Sequence, residues 1–389
     1  MGRRLKAFAP ARTEIAGNHV DHQHGVAVTG SLEQSMDADI ELNGTNIINV
    51  KSEGYDPFSL NIDDVKDNRF DIEANKFTSK ALVAGVVRAF IDMGYDISGF
   101  DVSMTSSIPY AMGLSSSAAY EVLFANILNT AFADKKVSKM KIAQIGQYAE
   151  SEYYGKPCGL LDQTAISYGG IISIDFKDPS NLVVEPLDFD FGDNGISVVL
   201  VNTGAEHGDI SYLYAEIPEQ MKKVSNKLGV DFLGESDVDT FMQNLAKFRG
   251  TVDGKTVLRG IHYYHEINLT RARIKALKEG NGKQFMLCSG LSGSSSSRYL
   301  QNVSVSETDK TTEVVCGIVD LALDHACGGD YTNRGFGRIH GGGFGGCIQV
   351  FMPTPQLDSF TNYLCSVYDK DRIQNIKITH EGSNAWFVD

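Results

Sequence analysis

Hydrophobic and polar residues alternate in several stretches of the first half of the chain. The runs 26–50 and 98–106 have this two-residue period, as in the segment DADIELNGTNIINV. Side chains of a strand point alternately to the two faces of a sheet, so the pattern predicts β-strands in both runs. Two short apolar runs bounded by turn residues, 169–176 and 196–203, also predict strands.

Other stretches have the three-to-four-residue spacing of a helix that is apolar on one face. The spacing is clear in 77–95, which ends next to a glycine, a residue typical of helix C-termini. Further helices are predicted at 139–155, 217–229, 262–279 and 311–325, and one begins at the stretch 113–117. The segment 288–299 is rich in serine, and we expect a surface loop there.

The mixture of helices and strands predicts an α+β fold, and 389 residues are enough for two domains. We expect the domains to be 1–190 and 191–389, because the segment DFDFGDNG breaks the pattern there. Glycine makes up 39 of the 389 residues, about a tenth, against an average of about 7%. The excess lies around residue 113 and in 335–346, where a glycine-rich loop precedes an apolar run. This clustering suggests that the backbone comes close to a ligand.

The formal net charge is −14, and the sequence pI is about 5.1. A negative protein repels polyanions, so we expect no binding to nucleic acid or to an anionic membrane. A site for a small anion would then need its own cations and backbone donors. We expect a cytoplasmic protein, because no run of 18 apolar residues occurs and Pro10, Arg12 and Glu14 interrupt a signal-like start. The six scattered cysteines fit reduced thiols, with Cys158 in a packing role.

Three consecutive serines follow a Gly-Leu pair at a predicted helix start. The stretch is Gly113, Leu114, Ser115, Ser116, Ser117 and Ala118. A helix start directs unpaired N–H groups and the positive end of the helix dipole at one point. An ordinary helix cap needs only one serine, so three of them favour a phosphate-binding site. The pattern GxxxxGK[ST] of P-loop proteins is absent from the sequence.

The segment around these serines, PYAMGLSSSAA, resembles the phosphate-binding motif of the GHMP kinases. Three other segments are similar to motifs of the galactokinase family, in the same order along the chain. They are APARTEIAGNHVDHQHG at 9–25, GKPCGLLDQ at 155–163 and RIHGGGFGGC at 338–347. The resemblance spans nearly the whole chain. It implies a two-domain α+β fold of the GHMP-kinase type, with the active site in the cleft between the domains.

The resemblance also implies an ATP-dependent sugar kinase with Asp162 as its catalytic base. A sugar hydroxyl has a very high pKa, so a carboxylate within hydrogen-bond reach is needed to take its proton. Arg12 would lie beside Asp162, where a guanidinium keeps the carboxylate ionised and stabilises charge on the transferred phosphoryl group. A turn aspartate and a surface arginine are the alternatives to these roles.

ATP is used with Mg²⁺, which prefers hard oxygen ligands. The resemblance implies that residues 113–118 bind ATP and that Ser117 and Glu150 bind the metal. Glu152 is close enough in sequence to be an alternative to Glu150. The glycine run 341–346 is expected at the active site, near the phosphates or packed beside the 113–117 loop. Phe77 and Tyr55 are both candidates for stacking on the adenine.

The sugar is expected to contact Asn18, His19, Asp21, Gly159 and Tyr214, again by resemblance. The family has a glutamate at the position of Asn18, where it would face the C6 hydroxyl of galactose. An amide there would tolerate a C6 carboxylate, so a galacturonate-type sugar stays open beside galactose. The sequence also departs from the family at Glu206, which replaces a common arginine.

Three hypotheses about function follow from the sequence. The first is a galactokinase that acts on ATP and galactose, as a monomer with no macromolecular partner. The second is a regulatory sensor that binds both ligands without catalysis, although Arg12, Asp162 and the serine stretch are all present. The third is a GHMP kinase for a non-sugar alcohol, against which the pair His19 and Asp21 argues.

Overall fold

The structure, a computed structural model, describes residues 3–109, 112–205, 211–248 and 250–388. Among these residues the strands form two sheets. The strands are β1 Arg4–Ala16, β2 Val26–Leu42, β3 Ile47–Ser52, β4 Phe58–Asn61, β5 Phe100–Ser106, β6 Ile171–Asp175, β7 Val183–Leu187, β8 Ile196–Asn202, β9 Phe336–Ile339, β10 Cys347–Pro353, β11 Ile373–Ile376 and β12 Asn384–Val388.

The first sheet has eight strands and is built around the long strand β2. Its main path runs β12-β1-β2-β5-β3-β4, and β6 and β7 continue from β2. The second half of β2, 36–42, pairs with β5, and its first half, 26–30, pairs with β6. The alternating runs that predict strands in this part of the chain are thereby confirmed. The sequence reasoning missed β1 and β12, which pair with each other.

The predicted helices all form. The helices are α1 Ile62–Lys66, α2 Ile72–Asn75, α3 Ser79–Asp92, α4 Ser116–Phe132, α5 Lys139–Tyr148, α6 Leu161–Tyr168, α7 Ser211–Leu228, α8 Val238–Phe248, α9 Gly254–Lys278, α10 Gly282–Ser295, α11 Thr311–Ala326 and α12 Leu357–Leu364. The main hydrophobic core packs α3, α4 and α5 against the first sheet. Most residues of α4 are buried, so this helix is held rigidly with its N-terminus at one end of the core. Within the described residues, no helix combines the length and the apolar character needed to cross a membrane.

The second sheet is antiparallel, in the order β11-β8-β10-β9. Apolar residues of α11 and α12 cover one face, and α10 contributes to the core on the other. The chain changes sheet between β7 and β8, near residue 190. The division at 190 stays a prediction, because β12 returns to the first sheet and ties the end of the chain to its beginning.

The expectation of a surface loop at 288–299 is wrong. This segment lies in α10 and in the π-helical turn Ser296–Leu300 that continues it. Ser289 and Ser292 are fully buried; the hydroxyl of Ser289 donates to the Phe285 carbonyl at 2.9 Å and that of Ser292 to Glu266 at 3.0 Å. Serine and glycine make a narrow helix face here, and a Cβ at Gly290 would lie only 2.3 Å from a Phe336 ring atom. Close packing rather than flexibility therefore explains the small residues.

Candidate active site

Arg12 and Asp162 meet at the centre of the candidate site. Arg12 lies on β1, just after a register shift in the pairing of β1 with β2, and is 8% exposed. Its Nε donates to Asp162 Oδ1 at 2.6 Å and its Nη2 to Asp162 Oδ2 at 2.8 Å. Nη1 donates to the carbonyl of Gly113 at 2.7 Å. One guanidinium thus joins β1, the first turn of α6 and the loop before α4.

Asp162 is held as an ionised carboxylate. Burial by itself would raise the pKa of Asp162, but this is opposed by its neighbours, above all by the charge and hydrogen bonds of Arg12. The hydroxyl of Ser115, which donates to Asp162 Oδ2, and the charge of Lys156 act in the same direction. The pKa of Asp162 therefore lies below its ordinary value, and the carboxylate can accept a proton at neutral pH.

The N-terminus of α4 faces the same point. Gly113 and Ser115 both have left-handed backbone, with φ of 69° and 58°, and α4 begins at Ser116. Gly113 and Ser116 are exposed, whereas the side chains of Leu114 and Ala118 are buried in the hydrophobic cores. Of the six residues predicted to bind ATP, Leu114 and Ala118 can therefore offer only their backbone to a ligand. The neighbouring motif residues 110 and 111 lie outside the described residues.

The predicted metal ligands Ser117 and Glu150 are adjacent. Ser117 Oγ donates to Glu150 Oε1 at 3.0 Å, and Glu150 is 3% exposed in the π-helical turn Ala149–Tyr154. Glu152 is exposed, so the geometry favours Glu150 over this alternative. A hydroxyl beside a carboxylate is an oxygen donor set that suits Mg²⁺. No cluster of three His, Cys, Asp or Glu side chains among the described residues could hold a metal, so phosphate oxygens or water would complete the shell.

Two buried residues behind Glu150 were missed by the sequence reasoning. Gln163 Nε2 donates to Glu150 Oε2 at 2.9 Å and lies 3.2 Å from Glu121 Oε2. Burial, with the charge of Glu150 second, raises the pKa of Glu121 well above its ordinary value, which favours the protonated acid. The available signal was a glutamate among apolar residues of α4. This cluster orients Glu150 toward Ser117.

Asp21, His19 and Gly159 form the side of the site next to Asp162. Asp21 begins a single 3-10 turn, and a Cβ at Gly159 would lie 3.1 Å from Asp21 Oδ2, so glycine leaves this carboxylate accessible. Burial, and to a smaller extent Asp162, raises the pKa of Asp21, while His19 opposes the shift. His19 Nε2 lies 2.9 Å from the carbonyl of Gly342. This contact links the motif at 9–25 to the glycine-rich motif at 338–347.

Asn18 was expected to contact the sugar, but its side chain is buried inside the protein. It is 1% exposed, and its Nδ2 donates to Glu14 Oε1 at 3.3 Å and to the Gly341 carbonyl at 2.5 Å. Its Oδ1 accepts hydrogen bonds from Ser296 at 3.2 Å and Asn302 at 3.1 Å. An amide has two donor hydrogens and two acceptor lone pairs, so all four positions are used within the protein. The predicted contact of Asn18 with the C6 group of a sugar is therefore not available in this structure.

The glycine-rich motif packs against Tyr214 and against the phosphate-loop segment. The hydroxyl of Tyr214 donates to the Gly343 carbonyl at 3.0 Å, and a Cβ at Gly342 would lie 2.5 Å from the tyrosine ring. His340, just before the glycines, lies beside Gly113, with Nδ1 3.6 Å from the position a Cβ there would take. The close packing explains why the motif needs glycine at 342. The predicted departure at Glu206 lies outside the described residues.

A buried polar network holds the backbone of the motif at 9–25. Its members were missed by the sequence reasoning. Glu266 is fully buried, pairs with Arg273 and accepts hydrogen bonds from the N–H groups of Gly17 at 3.2 Å and Asn18 at 3.4 Å. Burial would raise the pKa of Glu266, but Arg273 and other neighbours lower it to about 2. The ionised carboxylate of Glu266 therefore holds the backbone at Gly17 and Asn18 in place.

The remaining candidates have separate positions. Burial, with Glu150 second, raises the pKa of the Cys158 thiol, which makes it a poor nucleophile and supports a packing role. Phe77 is 67% exposed, and its ring lies 5.5 Å from that of Tyr154, at the end of the Glu150 turn. Tyr55 is 71% exposed in the turn after β3. The assignment of either ring to adenine stays a prediction.

Comparison with known proteins gives consistent matches. Residues 81–170 match the family model of the GHMP kinases N terminal domain. The chain is 30% identical over 377 residues to a galactokinase of Enterococcus faecalis, covering 94% of this chain and 90% of that protein. A galactokinase of Clostridium tetani is 27% identical over 377 residues, covering 93% of this chain and 88% of that protein.

Solved structures match over almost the whole chain. The crystal structure of Lactococcus lactis galactokinase complexed with galactose superposes with a TM-score of 0.81 at 22% identity, covering 98% of this chain and 95% of that one. A crystal structure of mevalonate kinase has a TM-score of 0.65 at 15% identity, covering 97% and 99% of the two chains. At these identities the matches concern the fold alone.

Proposed function

The chain belongs to the galactokinase family of the GHMP kinases, and on that premise we propose that it transfers the terminal phosphoryl group of ATP to the anomeric hydroxyl of D-galactose. The product would be α-D-galactose 1-phosphate. The predicted resemblance and the α+β fold of the GHMP-kinase type are confirmed by the relatives and the fold matches. The observation that carries the proposal is the two-bond pair between Arg12 and Asp162, next to the N-terminus of α4.

In this proposal Asp162 accepts the proton of the sugar hydroxyl. Its lowered pKa keeps it ionised, so it acts as a base by position rather than by high basicity. Arg12 fixes the carboxylate and presents positive charge where the phosphoryl group passes. The bond from the terminal phosphorus to the sugar oxygen forms while its bond to the bridging oxygen of ADP breaks, and the proton ends on Asp162.

The backbone N–H groups and serine hydroxyls at the start of α4 are assigned to binding the triphosphate. Backbone N–H groups near Gly113 and the hydroxyls of Ser115 and Ser116 would bind phosphate oxygens, aided by the helix dipole. Ser117 and Glu150 would hold Mg²⁺, whose chemistry here is to neutralise phosphate charge. The oxygen pair at 3.0 Å, with the buried Glu150 oriented by Gln163, supports this assignment.

The sugar is assigned to the side of Asp162 that carries Asp21, His19 and Gly159. The carboxylate of Asp21 can accept hydrogen bonds from two neighbouring hydroxyls, and Gly159 leaves space for them. Tyr214 would border the sugar from the other side of the glycine-rich motif. No observation favours galacturonate, because the buried amide of Asn18 is used by the protein. Nor does any observation favour a sensor, since the proposed base Asp162 and its partner Arg12 are paired.

We also propose that the protein works as a monomer in the cytoplasm. All six cysteines are free thiols, which supports a reducing compartment. Size-exclusion chromatography with light scattering would test the oligomeric state.

The deciding experiment is a substrate panel at fixed ATP and Mg²⁺. Galactose, galacturonate, N-acetylgalactosamine, glucose and mevalonate would be compared by ADP release and by phosphorus NMR of the product. We expect the highest kcat/KM for galactose and a product phosphorylated at C1. A higher kcat/KM for galacturonate or mevalonate would replace the proposed substrate, and binding of ATP and galactose without turnover would support a sensor.

A further inference from the structure

Lys156 has a backbone anchored by hydrogen bonds and a side chain that is largely exposed. It follows Gly155, whose left-handed φ of 90° ends the π-helical turn, and it precedes Pro157. The N–H groups of Gly155 and Lys156 both donate to the Glu150 carbonyl, at 3.1 and 3.0 Å. The side chain of Lys156 is 62% exposed. The turn thus fixes where this side chain starts, while its ammonium group stays accessible.

The ammonium of Lys156 lies beside Glu150, one of the two residues assigned above to Mg²⁺. Its Nζ lies 3.4 Å from Glu150 Oε1, the same oxygen that accepts the hydrogen bond from Ser117. It is also close enough to influence two other site residues. At Asp162 its charge helps Arg12 to lower the pKa, and at Tyr214 it opposes the rise in pKa that burial causes. The ammonium of Lys156 is therefore next to Glu150, and its charge also acts on the proposed catalytic carboxylate of Asp162.

Among the residues that the structure describes, the neighbouring cations Arg12 and Lys76 are already engaged in other contacts. Arg12 uses three guanidinium nitrogens on Asp162 and Gly113 and is 8% exposed. The stem of Lys76 lies against Gly155, but its ammonium forms a 2.7 Å ion pair with Glu73. The 3.4 Å contact of Lys156 is longer than the roughly 2.7–2.9 Å of a strong charge-assisted hydrogen bond. Since an ammonium has three donors, Lys156 keeps capacity for another acceptor.

The charges of the cleft call for such a cation. Asp162 and Glu150 are carboxylates at the centre of the site, in a chain whose net charge is −14. A triphosphate that enters this cleft would be repelled unless fixed positive charge faces it. In phosphoryl transfer the negative charge is spread over the three equatorial oxygens of the moving group. A compact ammonium on a flexible stem can follow those oxygens from ATP to the sugar.

We propose that Lys156 binds the terminal phosphoryl group of ATP and stays with it during transfer to the sugar. The inference rests on the proposed kinase function and adds a cationic contact to that of Arg12. Lys156 supplies charge and hydrogen bonds only. The proton of the sugar hydroxyl still goes to Asp162, and the electron pair of the broken P–O bond leaves with ADP.

The test is nucleotide binding to Lys156→Met, measured by calorimetry with ATP and with ADP in EDTA. We expect ATP to bind about tenfold more weakly than to the wild type, and ADP to change less than about twofold, because ADP lacks the contacted group. Lys156→Arg should regain most of the ATP affinity. Lys76→Met is the matched control: it removes an equal charge nearby and should leave both affinities unchanged. With sugar and Mg²⁺ present, kcat of Lys156→Met should also fall.

Three results would overturn the assignment. Equal weakening of ATP and ADP would mean that Lys156 acts as a general charge, and unchanged binding of both would mean that it makes no contact. Loss of ATP affinity in Lys76→Met alone would transfer the role to that lysine. The kinase proposal fails separately, if the wild type binds neither nucleotide or phosphorylates none of the tested substrates. Because Lys156 is exposed, its variants should keep the thermal midpoint of the wild type, which checks that they fold.

Discussion

Arg12 and Asp162 are joined by two parallel hydrogen bonds, although 150 positions separate them in the chain. The pair sets both the position and the ionisation of the carboxylate. A planar guanidinium matches a carboxylate with two bonds, which a lysine ammonium does not.

Asp162→Asn should lower kcat by about 10²- to 10⁴-fold, the usual contribution of a general base. The amide has nearly the shape of the carboxylate but cannot take the proton. Binding of ATP and galactose, measured by calorimetry, should change little. Turnover close to that of the wild type would remove Asp162 from the role of base.

Arg12→Lys should lower kcat by about 10²-fold while keeping a positive charge, since one of two donors to the carboxylate is lost. In the wild type the lowered pKa of Asp162 keeps it ionised through the neutral range, so it should cause no acid limb between about pH 5 and 9. Burial is then less well offset in the variant, so its acid limb should move to higher pH. A pH profile of kcat/KM measures both effects.

A control for Arg12→Lys is Arg334→Lys, which alters another arginine that donates to carboxylate oxygens. Arg334 donates to Asp320 at 2.9 Å and to Asp324 at 2.6 Å, outside the candidate site. Its kcat and pH profile should match those of the wild type. An equal loss of kcat in both variants would indicate a general effect on the fold.

Ser117→Ala should raise the Mg²⁺ concentration needed for half-maximal rate by roughly tenfold, as expected for the loss of one oxygen contact. Glu150 remains in place, so saturating Mg²⁺ should restore much of kcat. Ser103→Ala, which changes an exposed serine of β5, is the control. An unchanged Mg²⁺ dependence in Ser117→Ala would assign the metal to other ligands.

The burial of the His22 ring leads us to expect that the stability of the protein depends on pH. Both of its ring nitrogens are buried without a hydrogen-bond partner among the described residues, and burial lowers its pKa from 6.5 to about 3. Between these values the unfolded chain binds a proton that the folded protein does not, so the free energy of unfolding falls as pH drops below 6.5. At pH 5 this amounts to about 2 kcal/mol.

The comparison that tests this is wild type against His22→Phe in urea unfolding at pH 7.5 and pH 5. Phenylalanine keeps the ring and removes the titration. We expect the wild type to lose about 2 kcal/mol more than the variant between the two pH values. Parallel losses would show that His22 does not stay neutral in the folded protein.

Local patterns in the sequence predicted most of the secondary structure. The alternating run at 26–50 became β2 and β3, and the helical spacing of 77–95 became α3. These patterns work because backbone hydrogen bonding gives each element a fixed period. The serine-rich segment 288–299 failed, because its partners, such as Glu266 and Phe336, come from elsewhere in the chain.

The sequence alone also determined the family, since four motifs in order identify it, and with it the candidates Arg12, Asp162 and Ser117. Only the tertiary structure decided which side chains meet: it placed Glu150 beside Ser117, buried Asn18 in a network with Asn302, and brought the ammonium of Lys156 to Glu150. A motif can be recognised in the sequence because it consists of particular residue types at fixed spacings within a short stretch of chain. Burial and partnership depend on contacts across hundreds of residues, and these exist only once the two sheets have packed together.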